Sequence, residues 1–187
     1  MKVSAVLDST AARLRHAECG FTLVELLTVL VMLVIVVTTL SSVLVTASKA
    51  EEEMSRRFGS QINARIALDQ LRREIHCAVS VTPTGTSTAI AIVLGSRCPT
   101  GSGTASWCTS GSGTRYALYR KAGSTCDTAG RRVVDYLTSG TVFSFTPQST
   151  SSLAYLSVTL SVNTKPATGL PDYRLQDDVV LRNSTRT

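Results

Sequence analysis

The sequence predicts an α+β fold in which one long N-terminal α-helix packs on a small antiparallel β-sheet head. Three observations lead there. Residues 21–44 form a nearly unbroken apolar run, long enough for a membrane span of about 20 residues. Apolar residues then thin into a stripe with helical spacing that runs toward Thr82. Beyond Pro83, short β-prone runs alternate with Gly- and Ser-rich turns. The chain of 187 residues has room for one modest domain plus an extension and excludes two large ones. Its hydrophobic fraction of 43% is uneven, crowded into the first part and diluted by Ser, Thr and Gly in the second.

The apolar run carries one anomaly. From Phe21 to Ser48, Glu25 is the only charged side chain, and a carboxylate in hydrocarbon is costly unless it finds a partner. The Thr and Ser residues of the run are tolerable because their hydroxyls can return to the helix backbone. A conventional signal peptide has a shorter apolar core, roughly 7 to 15 residues. The tripeptide "VTA" ending at Ala47 nevertheless keeps open a secreted alternative that begins at Ser48. Lys2, Arg13 and Arg15 precede the run, and Lys49, Arg56 and Arg57 follow it, so positive charge alone does not orient it.

The helix continues past the run. In "EEEMSRRF" Glu52 stands four residues before Arg56 and Glu53 four before Arg57, the favourable order for surface pairs. Met54, Phe58, Ile62 and Ile66 follow at intervals of four, and Leu68, Leu71, Ile75 and Val79 extend the stripe, which is expected to pack on the sheet. Arg65, Asp69, Arg72, Arg73 and Glu74 read as a solvated face. Pro83 disfavours helix at Thr82, so the helix is expected from Phe21 to about Ser80. Residues 46–82 then form an amphipathic extension and 83–187 the β-rich head.

In the head the strand-like runs are "TAIAIVLG", "ASWC", "RYALYRK", "RRVVDYL", "TVFSFTPQ" and "LAYLSVTLSV". The last is the clearest, with Leu156, Val158, Leu160 and Val162 alternating with Ser157, Thr159 and Ser161. The segment "TGSGTASWCTSGSGT" lacks the Lys-Ser/Thr ending of a phosphate loop and reads as a flexible loop.

Five cysteines stand at 19, 77, 98, 108 and 126. Without Cys19 four remain, an even number with three possible connectivities. No C-x-x-C pair is present, which favours disulfides in an oxidising exterior over zinc. The favoured pairing is Cys77 with Cys98, stapling the helix end to the opening strands, and Cys108 with Cys126, closing the loop around "RYALYRK".

Charge and composition exclude other classes. The formal charge of +6 divides into +1 for residues 1–20, zero for 21–82 and +5 for 83–187, where ten basic residues face five acidic ones. That is mildly basic, without the Lys/Arg stripe of a dedicated nucleic-acid surface. Trp107 and Tyr116, near Arg115 and Arg120, have the chemistry to stack on a base, although packing is the simpler reading. His16 and His76 are the only histidines, and His76 beside Cys77 assembles neither a triad nor a metal cluster. The expectation is a non-enzyme without catalytic residues, metal or cofactor. "NST" at 183–185 fits a glycosylation acceptor pattern.

"GFTLVE", Gly20 through Glu25, followed by about twenty apolar residues, closely resembles the processing motif of type IV prepilins and type II secretion pseudopilins. The resemblance implies a leader, residues 1–20, that a prepilin peptidase removes between Gly20 and Phe21, methylating the new terminal amine. Glu25 becomes the fifth mature residue, a subunit-docking group that pairs with the terminal amine of a neighbour in a low-dielectric filament core. Further implied partners are other pilin or pseudopilin subunits, an inner-membrane platform protein and an assembly ATPase. The implied location is a single pass through the cytoplasmic membrane with the head outside the cytoplasm. "LRR" at 71–73, "LYR" at 118–120 and the strands at 139–145 and 153–162 are similar, more loosely, to the minor pseudopilin J branch. Two alternatives stay open: a filament-displayed module that binds DNA or surfaces, and a signal-anchored or secreted domain with no filament.

Overall fold

The computed structural model describes Gly20 and Thr22–Arg182. Phe21, Cys19, His16, the rest of the expected leader and the 183–185 motif lie outside the described residues. The chain divides into two compact units, one ending at Glu51 and the other beginning at Glu52. One helix, α1 (Leu23–His76, 54 residues), supplies the described α-helix of both.

In the first unit every residue from Thr22 to Glu51 is exposed. The hydroxyls inside the apolar run are spent on their own helix. Thr28 donates to the Glu25 carbonyl at 2.9 Å, Thr38 to Val34 at 2.9 Å, Ser41 to Val37 at 2.8 Å and Thr46 to Ser42 at 2.9 Å. These hydroxyls leave no donor unspent toward the outside, and by length and composition the run is long and apolar enough to cross a membrane.

The second unit packs the rest of α1 on an antiparallel sheet, which makes the fold α+β. Nine strands are described: β1 (Ala78–Thr82), β2 (Gly85–Ser87), β3 (Ala89–Leu94), β4 (Gly103–Ser112), β5 (Arg115–Ala122), β6 (Arg131–Leu137), β7 (Phe143–Thr146), β8 (Tyr155–Val162) and β9 (Tyr173–Val180). Their order is β1-β3-β4-β5-β6-β8-β7-β2, with β9 added on β8. One edge of β8 is shared, Val158 pairing with Phe143 of β7 and Val162 with Leu137 of β6. The other edge takes β9 along its whole length, from Tyr155↔Val180 to Val162↔Tyr173. The alternation expected for β8 is present: Leu156, Val158, Leu160 and Val162 are buried and the intervening hydroxyl residues half-buried.

Four expectations are corrected. The helix stops at His76 rather than near Ser80, and 78–82 is strand β1. Its β-branched residues pair with β3, from Ala78↔Leu94 to Thr82↔Ala91, and that ladder outweighs a weak helical continuation. The 100–114 segment is not a loop. Most of it is β4, a central strand pairing Trp107 with Ile90 on one side and Arg120 on the other. A two-residue turn, Gly113-Thr114, then joins β4 to β5. Gly111 is required there, since a Cβ would lie 2.2 Å from the Arg115 carbonyl oxygen. β8 is not the final strand, because β9 follows it.

The fourth correction concerns which face of α1 is buried. The sheet covers Ser60, Ala64, Ala67, Leu68, Leu71, Glu74 and Ile75. Met54, Phe58, Ile62 and Ile66 instead remain 72%, 63%, 39% and 53% exposed. Small side chains at 60, 64 and 67 let the helix backbone approach closely, while the sheet supplies the bulk from Trp107, Phe143, Leu156 and Leu160 in the same cluster. Full burial of Leu71 and Ile75 is worth about 1.5–3 kcal/mol each.

Candidate assembly site

The expected docking group sits at the very start of α1. Thr22 is the N-cap: its Oγ1 accepts the Glu25 N–H at 3.3 Å, and its carbonyl accepts the Leu26 N–H at 3.1 Å. "TLVE" is thus a Thr-x-x-Glu capping sequence. Glu25 occupies the first turn, where the helix macrodipole favours a negative charge by about 0.3–1 kcal/mol. The carboxylate is exposed, and among the described residues no cation forms an ion pair with it. Gly20 is exposed two residues before the cap, with open space where a Cβ would stand.

In the second unit, three sets of contacts hold α1 to the sheet. The first is buried. Glu74 and Trp107 are both 0% exposed, and the indole Nε1 donates to Glu74 Oε2 at 2.8 Å. Arg120 Nε donates to Glu74 Oε1 at 2.8 Å, and Gln70 Nε2 reaches the same oxygen at 3.3 Å. Both carboxylate oxygens are therefore satisfied, as a buried charge requires. Glu74 does not belong to the solvated face expected of it. The signal that would have found it is angular, because Ser60, Ala64, Ala67, Leu71 and Glu74 recur at helical spacing on one side.

The second set joins α1 to β9. Arg65 Nε donates to the Tyr173 hydroxyl at 2.8 Å with its guanidinium 5.7 Å from the ring centroid. Arg72 donates twice to Asp177 Oδ2, at 2.9 and 2.8 Å, and this hydrogen bond raises the Arg72 pKa. His76 Nδ1 lies 3.1 Å from the Val180 carbonyl oxygen. Arg65 and Arg72 are thus engaged by the head rather than solvated alone. Lower on the helix, Glu53 accepts from both Lys165 and Arg57, which holds its carboxyl below the usual range, Lys165 first.

The third set is covalent. Disulfides join Cys77 to Cys98 and Cys108 to Cys126, with Cα separations of 5.6 and 5.8 Å. The first ties the end of α1 to the segment between β3 and β4, and the second bridges β4 to the segment after β5. His76 therefore sits beside a bonded sulfur rather than a thiol.

Of the residues with stacking chemistry only Trp107 is buried; Tyr116 and Arg120 are half-buried and Arg115 is exposed. Trp107 is sealed against Glu74, Arg120 is committed to the same carboxylate, and Arg115 lies 4.8 Å over the Tyr136 ring. Lys121 pairs with Asp127 at 2.7 Å and Arg132 with Asp135 at 3.1 Å. With Lys165, four of the nine described head cations thus answer carboxylates of the same chain.

One long apolar N-terminal helix combined with an antiparallel sheet is a pilin-like architecture. Comparison with protein-family models, with curated proteins and with solved structures finds no match to this chain.

Proposed function

We propose that the chain is a structural subunit, a minor pilin or pseudopilin, of a type IV pilus or type II secretion-like filament. The observation that carries this reading is Glu25, a lone carboxylate at the capped start of a helix whose apolar side chains from Leu23 to Val45 are all uncovered. In this reading prepilin peptidase cuts between Gly20 and Phe21 and leaves a cationic amine on Phe21. The amine of one subunit then meets Glu25 of another where water is scarce and an ion pair is strong. Before assembly Glu25 has only the helix dipole and the membrane interface, so the pairing favours the filament over the free monomer. Platform protein and ATPase act as the lifting machinery, and the head stays outside the cytoplasm.

A DNA-binding role for the head is not favoured, since its cations are partly consumed by internal pairs. The test combines N-terminal sequencing with a substitution. Phe21 as the mature first residue supports the subunit reading, Ser48 a secreted domain, and Met1 a plain anchor. Glu25→Ala is expected to be cleaved and membrane-inserted yet depleted from filaments at least several-fold; incorporation at the level of the unsubstituted chain would refute the docking role.

A further inference from the structure

Between α1 and β6 lies a cleft of about 360 Å³ to which the assembly reading gives no role, and its size falls within the roughly 300–1,000 Å³ of small-ligand sites. One wall is the side of α1 that carries Arg56, Gly59, Ser60 and Asn63, and the other is β6 from Arg132 to Tyr136. Both walls depart from what the fold alone asks of them. Gly59 stands in the interior of a 54-residue helix, where glycine is weakening, yet no neighbour requires it, since a Cβ there would meet nothing within 4 Å. Its effect is to keep the cleft open. Opposite it, β6 carries a bulge. Pairing with β5 jumps from Leu118↔Val134 to Tyr116↔Leu137, so Asp135 and Tyr136 together face Ala117, and bulges of this kind re-aim side chains. Tyr136 has φ 63°, the one non-glycine residue with positive φ among the described residues, a conformation that is costly for a bulky side chain. Its surroundings hold it there. The Tyr136 N–H donates to Asp135 Oδ1 at 2.8 Å, its carbonyl accepts the Asn163 N–H at 2.9 Å, and the Arg115 guanidinium lies 4.8 Å over its ring.

The polar groups of the cleft define what fits it. Arg56 uses one nitrogen on Glu52 at 3.3 Å and Arg132 one on Asp135 Oδ2 at 3.1 Å, and their side chains are 54% and 61% exposed. A guanidinium carries five N–H donors, so both keep donors for a further carboxylate. Asn63 is exposed, and its amide both donates and accepts. Ser60 gives its hydroxyl hydrogen to the Arg57 carbonyl at 2.8 Å, and what it retains is an acceptor. Asp135 likewise offers only lone pairs. The cleft therefore asks for an anionic acceptor at the arginines and for O–H donors at Ser60 and Asp135. A hydroxylated carboxylic acid carries both. Phosphate fits less well, since its oxygens are acceptors that would face the Asp135 carboxylate. We propose that the cleft between α1 and β6 binds an acidic sugar, its carboxylate taken by the arginines and its ring hydroxyls by Asn63, Ser60 and Asp135.

The experiment titrates glucuronic acid, glucose and inorganic phosphate into the detergent-solubilised, oxidised full chain and reads the heat of binding. Glucuronic acid is expected to bind, and glucose, which lacks the carboxylate, to bind at least about tenfold more weakly. Gly59→Leu, which places a side chain in the open space, is expected to abolish binding while Trp107 emission is unchanged and the urea midpoint stays at or above that of the unsubstituted chain. Arg132→Ala is expected to weaken binding about tenfold, and it decides the matter if Gly59→Leu does not fold. Absence of heat from glucuronic acid overturns the proposal, as does undiminished binding by either folded variant. Glucose or phosphate matching glucuronic acid overturns the acidic-sugar assignment. Recovery of subunits in filaments enters none of these outcomes, so the filament reading and this inference fail separately.

Discussion

Removing the Glu74 carboxylate is the sharpest test of how the head is held together. In Glu74→Ala the Trp107 indole N–H, fully buried, loses its acceptor, which costs about 1–3 kcal/mol. Arg120 loses its counter-ion at the same time. Breaking a buried pair from one side typically costs about 3–5 kcal/mol, but the Arg120 side chain keeps 23% of its exposure and regains some hydration. The two effects overlap, and a total of about 3–4 kcal/mol is expected. Trp107 is the only tryptophan in the chain, so its emission in a urea titration of the detergent-solubilised, oxidised protein reports directly on this site. Arg120→Ala should cost less than Glu74→Ala, and the double variant should fall short of the sum of the singles by at least about 1 kcal/mol. A Glu74→Ala loss under about 1 kcal/mol, or simple additivity, would refute the idea that one carboxylate holds both partners.

Two further outcomes follow from the head. Cys98→Ser and Cys108→Ser open loops of 21 and 18 residues, for which the chain-entropy relation gives about 3 kcal/mol each; a urea midpoint unchanged in either variant would contradict it. Asp172 accepts from Thr138 Oγ1 at 2.7 Å and Asn163 Nδ2 at 3.0 Å, which lowers its pKa, Thr138 first. A depressed carboxylate contributes stability that is present above its unfolded pKa and lost as pH falls through the folded one. Midpoints should therefore drop on acidification below the ordinary carboxylate range, and Asp172→Asn should flatten that limb; an equal slope in both proteins would remove Asp172 from the account.

Residues with strong local chemistry were legible in the sequence. Glu25 is isolated by composition alone and β8 by strict alternation, whereas the sequence favoured one of three cysteine connectivities without fixing it, and the structure has that pairing. What was not legible depends on which side of a helix or strand meets the rest of the molecule. Met54, Phe58, Ile62 and Ile66 form the more hydrophobic stripe, yet the sheet took the side with Ser60, Ala64 and Ala67, because its own bulky residues needed a close backbone rather than more bulk. Glu74 was hidden for the same reason, since a charge beside Arg72 and Arg73 reads as solvated until Trp107 arrives from residues far along the chain. β4 was hidden by its glycines and serines, and only pairing on both edges makes that composition a central strand.

The contacts between α1 and β9 bear on the order in which the head can be finished. Arg65 and Tyr173, Arg72 and Asp177, and His76 and Val180 are separated by 108, 105 and 104 residues. A chain emerging from the ribosome or threading through a translocon makes its helix early and its latch late, so the wall that α1 leans on closes only when β9 arrives. Until then β8 offers a bare edge to any passing strand, and a shortened polypeptide ending before Tyr173 would carry that hazard permanently.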